Sequence, residues 1–207
     1  MLVVIGIIVV MGALAIPAFQ ALSPAQKLST AGSRVVGLAE SARMNAMSRQ
    51  NPTMLAVITN LPNTTDVSYR TFTVLESAQV SVTVGNNTTT TDQWKQISRW
   101  ETLPTGIVLN NNPSKSFFRM GSTPLTPPAP DGTNTFQYKG TPLTTNHYGF
   151  VIFNRNGSLY NSATNAPTME LVVGVSNADN ITRTGPTNNW YQLVFNEAIG
   201  RVKTVRP

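Results

Sequence analysis

Met1-Leu2-Val3-Val4-Ile5-Gly6-Ile7-Ile8-Val9-Val10-Met11-Gly12-Ala13-Leu14-Ala15-Ile16-Pro17-Ala18-Phe19 opens the chain, and no charged residue appears before Lys27. A run of roughly 20 apolar residues matches one bilayer crossing and leaves no helix face suited to water. It reads as a membrane helix. Ala13-Leu14-Ala15 imitates a signal-peptide cleavage site, but the basic n-region of a signal peptide is missing. A buried core helix is rarely apolar on every side. Lys27 and Arg34 follow the span, and by charge bias alone they would hold the following domain in the cytoplasm.

After Ser23-Pro24 the pattern turns amphipathic. Leu28, Ala31, Val35, Leu38, Ala42 and Ala46 recur at three- and four-residue steps, with Arg34, Glu40, Arg43 and Arg49 mostly elsewhere on the wheel. The helix ends by Asn51-Pro52, because a residue before proline avoids the α region. Pro17 and Pro24 each predict a bend. Gly32 and Gly37 each weaken the helix by about 1 kcal/mol against alanine.

The rest alternates as strands, over 53–59, 69–75, 80–84, 93–100, 106–109, 135–138, 148–153, 169–175, 190–195 and 201–205. Asn156-Gly157 reads as a two-residue hairpin turn with both central residues at positive φ. The segment 121–132, with four prolines, reads as a surface loop. The fold class is therefore α+β: a long bent N-terminal helix packed on an antiparallel β-rich head. Residues 1–22 form its membrane or filament half, 23–52 its amphipathic continuation, and 53–207 the head.

Composition narrows the chemistry. The 207 residues hold no cysteine and one histidine, His147, so disulfides, thiolate sites and multi-imidazole zinc sites are excluded. Charged residues make up 12%, about half the usual share. The net charge of +6 favours polyanions. The nine acidic residues are scattered, with no spacing suited to paired acid–base work or a calcium loop. Glu170 and Glu197 are expected on solvated strand faces, and Trp94, Trp100 and Trp190 in the core. No glycine-rich phosphate loop or serine elbow is present. An enzyme is not expected, nor a cofactor, a metal or a small-molecule substrate.

Leu2-Val3-Val4-Ile5-Gly6-Ile7-Ile8-Val9-Val10 and Ala15-Ile16-Pro17-Ala18-Phe19 resemble the N-terminal helix of type IV pilins and type II secretion pseudopilins. In that family a peptidase removes a basic leader, a glutamate follows, and the new N-terminus is methylated. Those features would precede Met1, and in-frame upstream codons are expected to encode them. The leader would also reverse the orientation implied by Lys27 and Arg34. Residues 38–52, 148–157 and Ile199-Gly200-Arg201-Val202-Lys203 are similar to the helix end, a later strand and the closing turn of H-type minor pseudopilins.

The resemblance implies a structural subunit, a minor pseudopilin or minor pilin. Leu2, Val3, Val4, Ile5, Ile7, Ile8, Pro17 and Phe19 would form its assembly helix. Its partners would be other pilin-like subunits, and the inner membrane before assembly. The head would be periplasmic, then part of a filament or the cell surface. The C-terminus offers an alternative. Arg201, Lys203 and Arg206 place three cations in six residues, suited to phosphates, and the Gly200-Arg201-Val202-Lys203 order resembles the tail motif of competence minor pilins that bind DNA. The plainer reading is an edge strand blunted by charge.

Overall fold

In the computed structural model the described backbone covers residues 2–61, 64, 66–84, 87–112, 114–116, 119–120, 136–143, 147–160, 168–177 and 180–207, with side chains described from residue 24 onward, except 78–93, 119–120 and 142. The expected loop 121–132 lies outside them.

One helix, α1 (Leu2–Arg49), is followed by strands β1 (Thr53–Ile58), β2 (Thr71–Val84), β3 (Asn87–Gln96), β4 (Glu101–Thr102), β5 (Ile107–Leu109), β6 (Arg119–Met120), β7 (Gln137–Tyr138), β8 (Thr141–Pro142), β9 (Tyr148–Phe153), β10 (Thr168–Asn177), β11 (Asn180–Arg183), β12 (Trp190–Phe195) and β13 (Val202–Val205). One sheet runs β3-β2-β1-β9-β6, with β4 also on β2. A second runs β11-β10-β12-β13, with β5 on β10, and β7 and β8 form a separate hairpin. Every pairing is antiparallel. The α+β architecture is thus a helix laid across two antiparallel sheets.

The helix face read from the sequence is the one that packs. Leu28, Ala31, Val35, Leu38, Ala42 and Ala46 are all buried, joined by Ala39. They meet Leu55, Val57, Phe72, Val74, Val151 and Phe153 of the first sheet, and Leu109, Met169, Leu171, Leu193 and Phe195 of the second. The small alanines let the helix lie close to both sheets. Gln50 closes α1 in the left-handed region, at φ 55°. Its Nε2 donates to the Met47 carbonyl at 2.7 Å, which satisfies one open helix-end acceptor.

Strands β1 and β9 are buried along their whole length. Period-two alternation sends Leu55, Val57, Val151 and Phe153 toward α1. It sends Met54, Ala56, Ile58, Tyr148, Phe150 and Ile152 into a second cluster on the other face. That cluster is roofed by Phe136, Tyr138 and Leu143, from and beside the β7–β8 hairpin. The hairpin turns at Lys139 and Gly140, both at positive φ (47° and 81°), the signature of its two-residue loop.

Tyr69 ties the two sheets together. It sits at φ 58°, a costly conformation for an aromatic residue. Its N–H donates to the Ile58 carbonyl of β1 at 2.6 Å, and its carbonyl accepts from Leu109 N–H of β5 at 2.8 Å.

Several expectations need correction. Residues 71–75 and 80–84 of two expected strands belong to one strand, β2, which runs on through Glu76, Ser77, Ala78 and Gln79, while 69–70 precede it. β3 begins at Asn87 instead of residue 93. The Asn156-Gly157 turn has Gly157 alone at positive φ (81°), with Gly157 N–H donating to Asn154 O at 2.8 Å and Asn154 N–H to Ser158 O at 2.7 Å. This is a type I turn closed by a glycine bulge. Glu170 is buried rather than solvated: its carboxylate accepts from Asn110 Nδ2 at 2.7 Å, and its backbone N–H donates to Ser116 Oγ at 3.0 Å. Trp94 is a core residue, whereas Trp100 and Trp190 are half-buried.

Candidate assembly helix and the clamps at its ends

The backbone of α1 is helical without interruption from Leu2 to Arg49, so Leu2, Val3, Val4, Ile5, Ile7, Ile8, Pro17 and Phe19 lie on the same helix as the packed residues. Their side chains lie outside the described residues. Among the residues whose side chains are described, from Pro24 onward, no helix is long and apolar enough to cross a membrane. At 1.5 Å per residue, α1 is about 70 Å long, and its buried face from Leu28 to Ala46 takes up only about 27 Å.

Two clamps fix the packed half. At its C-terminal end, Arg43 Nε donates to the Ile199 carbonyl at 2.6 Å, and Glu40 Oε1 accepts from Val202 N–H at 3.2 Å. Arg43 and Glu40 also form an i,i+3 ion pair at 3.5 Å. The closing turn is thereby tied to α1. Here the three segments 38–52, 148–157 and 199–203 meet. A Cβ on Gly200 would overlap the Gly157 carbonyl oxygen, and a Cβ on Gly157 would lie 2.7 Å from Met47 Sδ. The buried Glu76 carboxylate accepts from Arg49 at 3.0 Å and Asn51 at 2.9 Å, which anchors the helix exit to β2.

At the other end, Tyr191 of β12 packs its ring onto Gly32, where a Cβ would overlap the ring. Arg206 covers Tyr191 from outside, its guanidinium carbon 4.6 Å from the ring centroid, and donates to Ser29 Oγ at 2.9 Å. By sequence alone Gly32 reads only as a helix-weakening residue. Its role depends on Tyr191, more than 150 residues away in the chain, and no local pattern reveals it.

The basic C-terminal residues separate in the structure. Arg201 and Lys203 are exposed on and beside β13, the edge of the second sheet, while Arg206 is engaged with Ser29 and Tyr191. Glu40 occupies the outward N–H of Val202, so the helix itself covers part of that edge. His147 precedes β9, half-buried, and its carbonyl accepts from Thr59 N–H at 2.9 Å.

No protein-family model and no curated protein matches the chain. Solved structures align with most of it. A minor pseudopilin EpsH from the type 2 secretion system of Vibrio cholerae is 12% identical, with a TM-score of 0.40, over 87% of this chain and 96% of that one. A second EpsH structure is 13% identical with a TM-score of 0.41, over 88% and 97%. The type IV minor pilin FimU of Pseudomonas aeruginosa is 11% identical with a TM-score of 0.40, over 88% and 90%. Likeness at this level leaves the family to be decided by the chain's own residues.

Proposed function

We propose that the chain is a structural, non-catalytic subunit, a minor pseudopilin or minor pilin, of a type IV pilus-like or type II secretion filament. One observation carries this reading. A single helix runs unbroken from the apolar stretch Leu2–Phe19 into the face that packs on the head. A head needs only the second half of that helix. The first half is left to serve a bilayer before assembly and neighbouring helices after it, since both environments require internally satisfied backbone and apolar side chains. The head belongs in the periplasm, and the subunit passes from the inner membrane into a filament of the cell envelope.

The test is fractionation of the chain expressed in a bacterial host together with its in-frame upstream codons, with protease added to spheroplasts. The chain should resist alkaline extraction from the inner membrane, with its head digested from the periplasmic side. Ile8→Arg should release it, because a central arginine costs roughly 2.5–3.5 kcal/mol on insertion. A wild-type chain that extracts freely would exclude the anchor.

A further inference from the structure

Beside the point where α1 enters the head lies an open groove of about 190 Å³, lined by Ala25, Leu28, Ser29, Asn189, Trp190, Tyr191, Arg206 and Pro207. Its rim is basic and aromatic. Arg206 is an exposed residue although its guanidinium rests on Tyr191 and Ser29, Trp190 is half-exposed, and Lys27 is exposed one residue from Leu28. The adjoining loop is held by a third cation: Arg183 Nη2 lies 3.0 Å from Pro186 O, 2.7 Å from Thr187 O and 3.2 Å from Asn189 O. No acidic side chain is among the described residues lining the groove.

Its place along α1 matters as much as its charge. Ala25 follows residue 22, the end of the apolar half, by three residues, about 5 Å of helix rise. The headgroup layer on each side of a bilayer is roughly 5–8 Å thick. Residues 25–27 therefore sit at headgroup depth whenever the apolar half is in a membrane, and the groove beside Leu28 and Ser29 opens at the outer edge of that layer, within reach of long side chains. Tryptophan and cationic side chains are the residues favoured there.

We propose that this end of the head is a docking surface for anionic phospholipid headgroups, and that Lys27, Trp190 and Arg206 hold the unassembled subunit's head against the bilayer. The proposal rests on the reading of Leu2–Phe19 as a membrane anchor. Docking fixes the head's orientation before assembly, and entry into a filament breaks it.

The test uses the full chain reconstituted with vesicles of phosphatidylcholine, alone or mixed with phosphatidylglycerol. Flotation reports the anchor. Quenching by a headgroup-linked nitroxide, taken as the difference between the wild type and Trp190→Phe, reports docking. Flotation is expected with both vesicles, and Trp190 quenching chiefly with the anionic ones. Lys27→Gln, at an exposed position, should lower the docked-to-free ratio roughly fivefold, as a contribution near 1 kcal/mol per cation implies, without changing flotation. Flotation without Trp190 quenching in anionic vesicles overturns the docking surface and leaves the anchor standing. No flotation with either vesicle removes the anchor, and the docking surface with it. A change in Trp190 emission on adding duplex DNA, with none on adding anionic vesicles, would assign the face to nucleic acid and overturn the proposal.

Discussion

Gly200 and Gly157 pack backbone against backbone beneath the end of α1, and a Cβ on Gly200 has no room beside the Gly157 carbonyl oxygen. Gly200 is also at φ 63°, which an L side chain resists. Gly200→Ala should therefore destabilise the head by about 2–4 kcal/mol, lowering Tm on the order of 10 °C. Arg43→Ala, which removes the hydrogen bond to Ile199, should cost less, about 1–3 kcal/mol. Thermal unfolding of the two variants checks the order.

Two glycines of α1 should respond with opposite signs. Gly37 has open space where a Cβ would go, and Gly37→Ala should stabilise by about 0.5–1 kcal/mol through helix propensity alone. Gly32→Ala drives a methyl group into Tyr191 and should destabilise by about 1–3 kcal/mol. Urea titration of both variants measures the sign directly. A stabilising Gly32→Ala would show that Tyr191 does not rest on the helix.

Tyr148 supplies a pH dependence. It is buried, edge-on to Phe136 with ring centroids 5.1 Å apart, and burial pushes its phenol above the ordinary value of 10.0. The unfolded chain then loses this proton at lower pH than the folded one. The contribution is complete below about pH 10 and is lost as pH rises from there through the folded-state value. Tyr148→Phe should flatten this alkaline decline by up to about 1.4 kcal/mol per pH unit, measured by denaturant unfolding across the alkaline range.

The C-terminal cations make a separable prediction. Arg206 is engaged with Tyr191 and Ser29, so Arg206→Ala should lower the stability of the head by about 1 kcal/mol. Arg201 and Lys203 are exposed, and replacing both with alanine should leave stability within about 0.5 kcal/mol. If the exposed pair binds DNA, a gel shift at low salt should disappear in that double variant. No shift in the wild type would leave the charged-edge reading of β13.

The legible parts of the fold were those where one face is buried and the other wet. The α1 stripe from Leu28 to Ala46 gave its face directly, and 190–195 alternates in burial as its pattern predicts. The run 148–153 shows its correct ends in its pattern, but not its burial on both faces. That depends on the β7–β8 roof, whose Lys139-Gly140 turn carries a glycine but lacks the asparagine that usually flags it. Strand β3 begins in an Asn-Thr run without apolar alternation, and β2 crosses Glu76, whose carboxylate is neutralised by Arg49. β3 forms by pairing back on the strand just before it, with Val84 opposite Asn87, so backbone ladder bonds define it without an apolar pattern; β2 is held by β1 and β3 in turn along its length. Gly32, Gly157 and Gly200 owe their roles to contacts across the whole chain.

The most direct test of the account is cysteine cross-linking in sheared filaments. The chain has no cysteine, so Leu14→Cys places a single thiol within the apolar half of α1. Co-expressed with a filament system whose other subunits carry cysteine at the matching helix position, it should appear in the sheared fraction as disulfide-linked species, since helices packed in a filament core bring such pairs within about 7 Å. A chain that remains monomeric under oxidation and is absent from the sheared fraction, while its head is folded, would contradict the account.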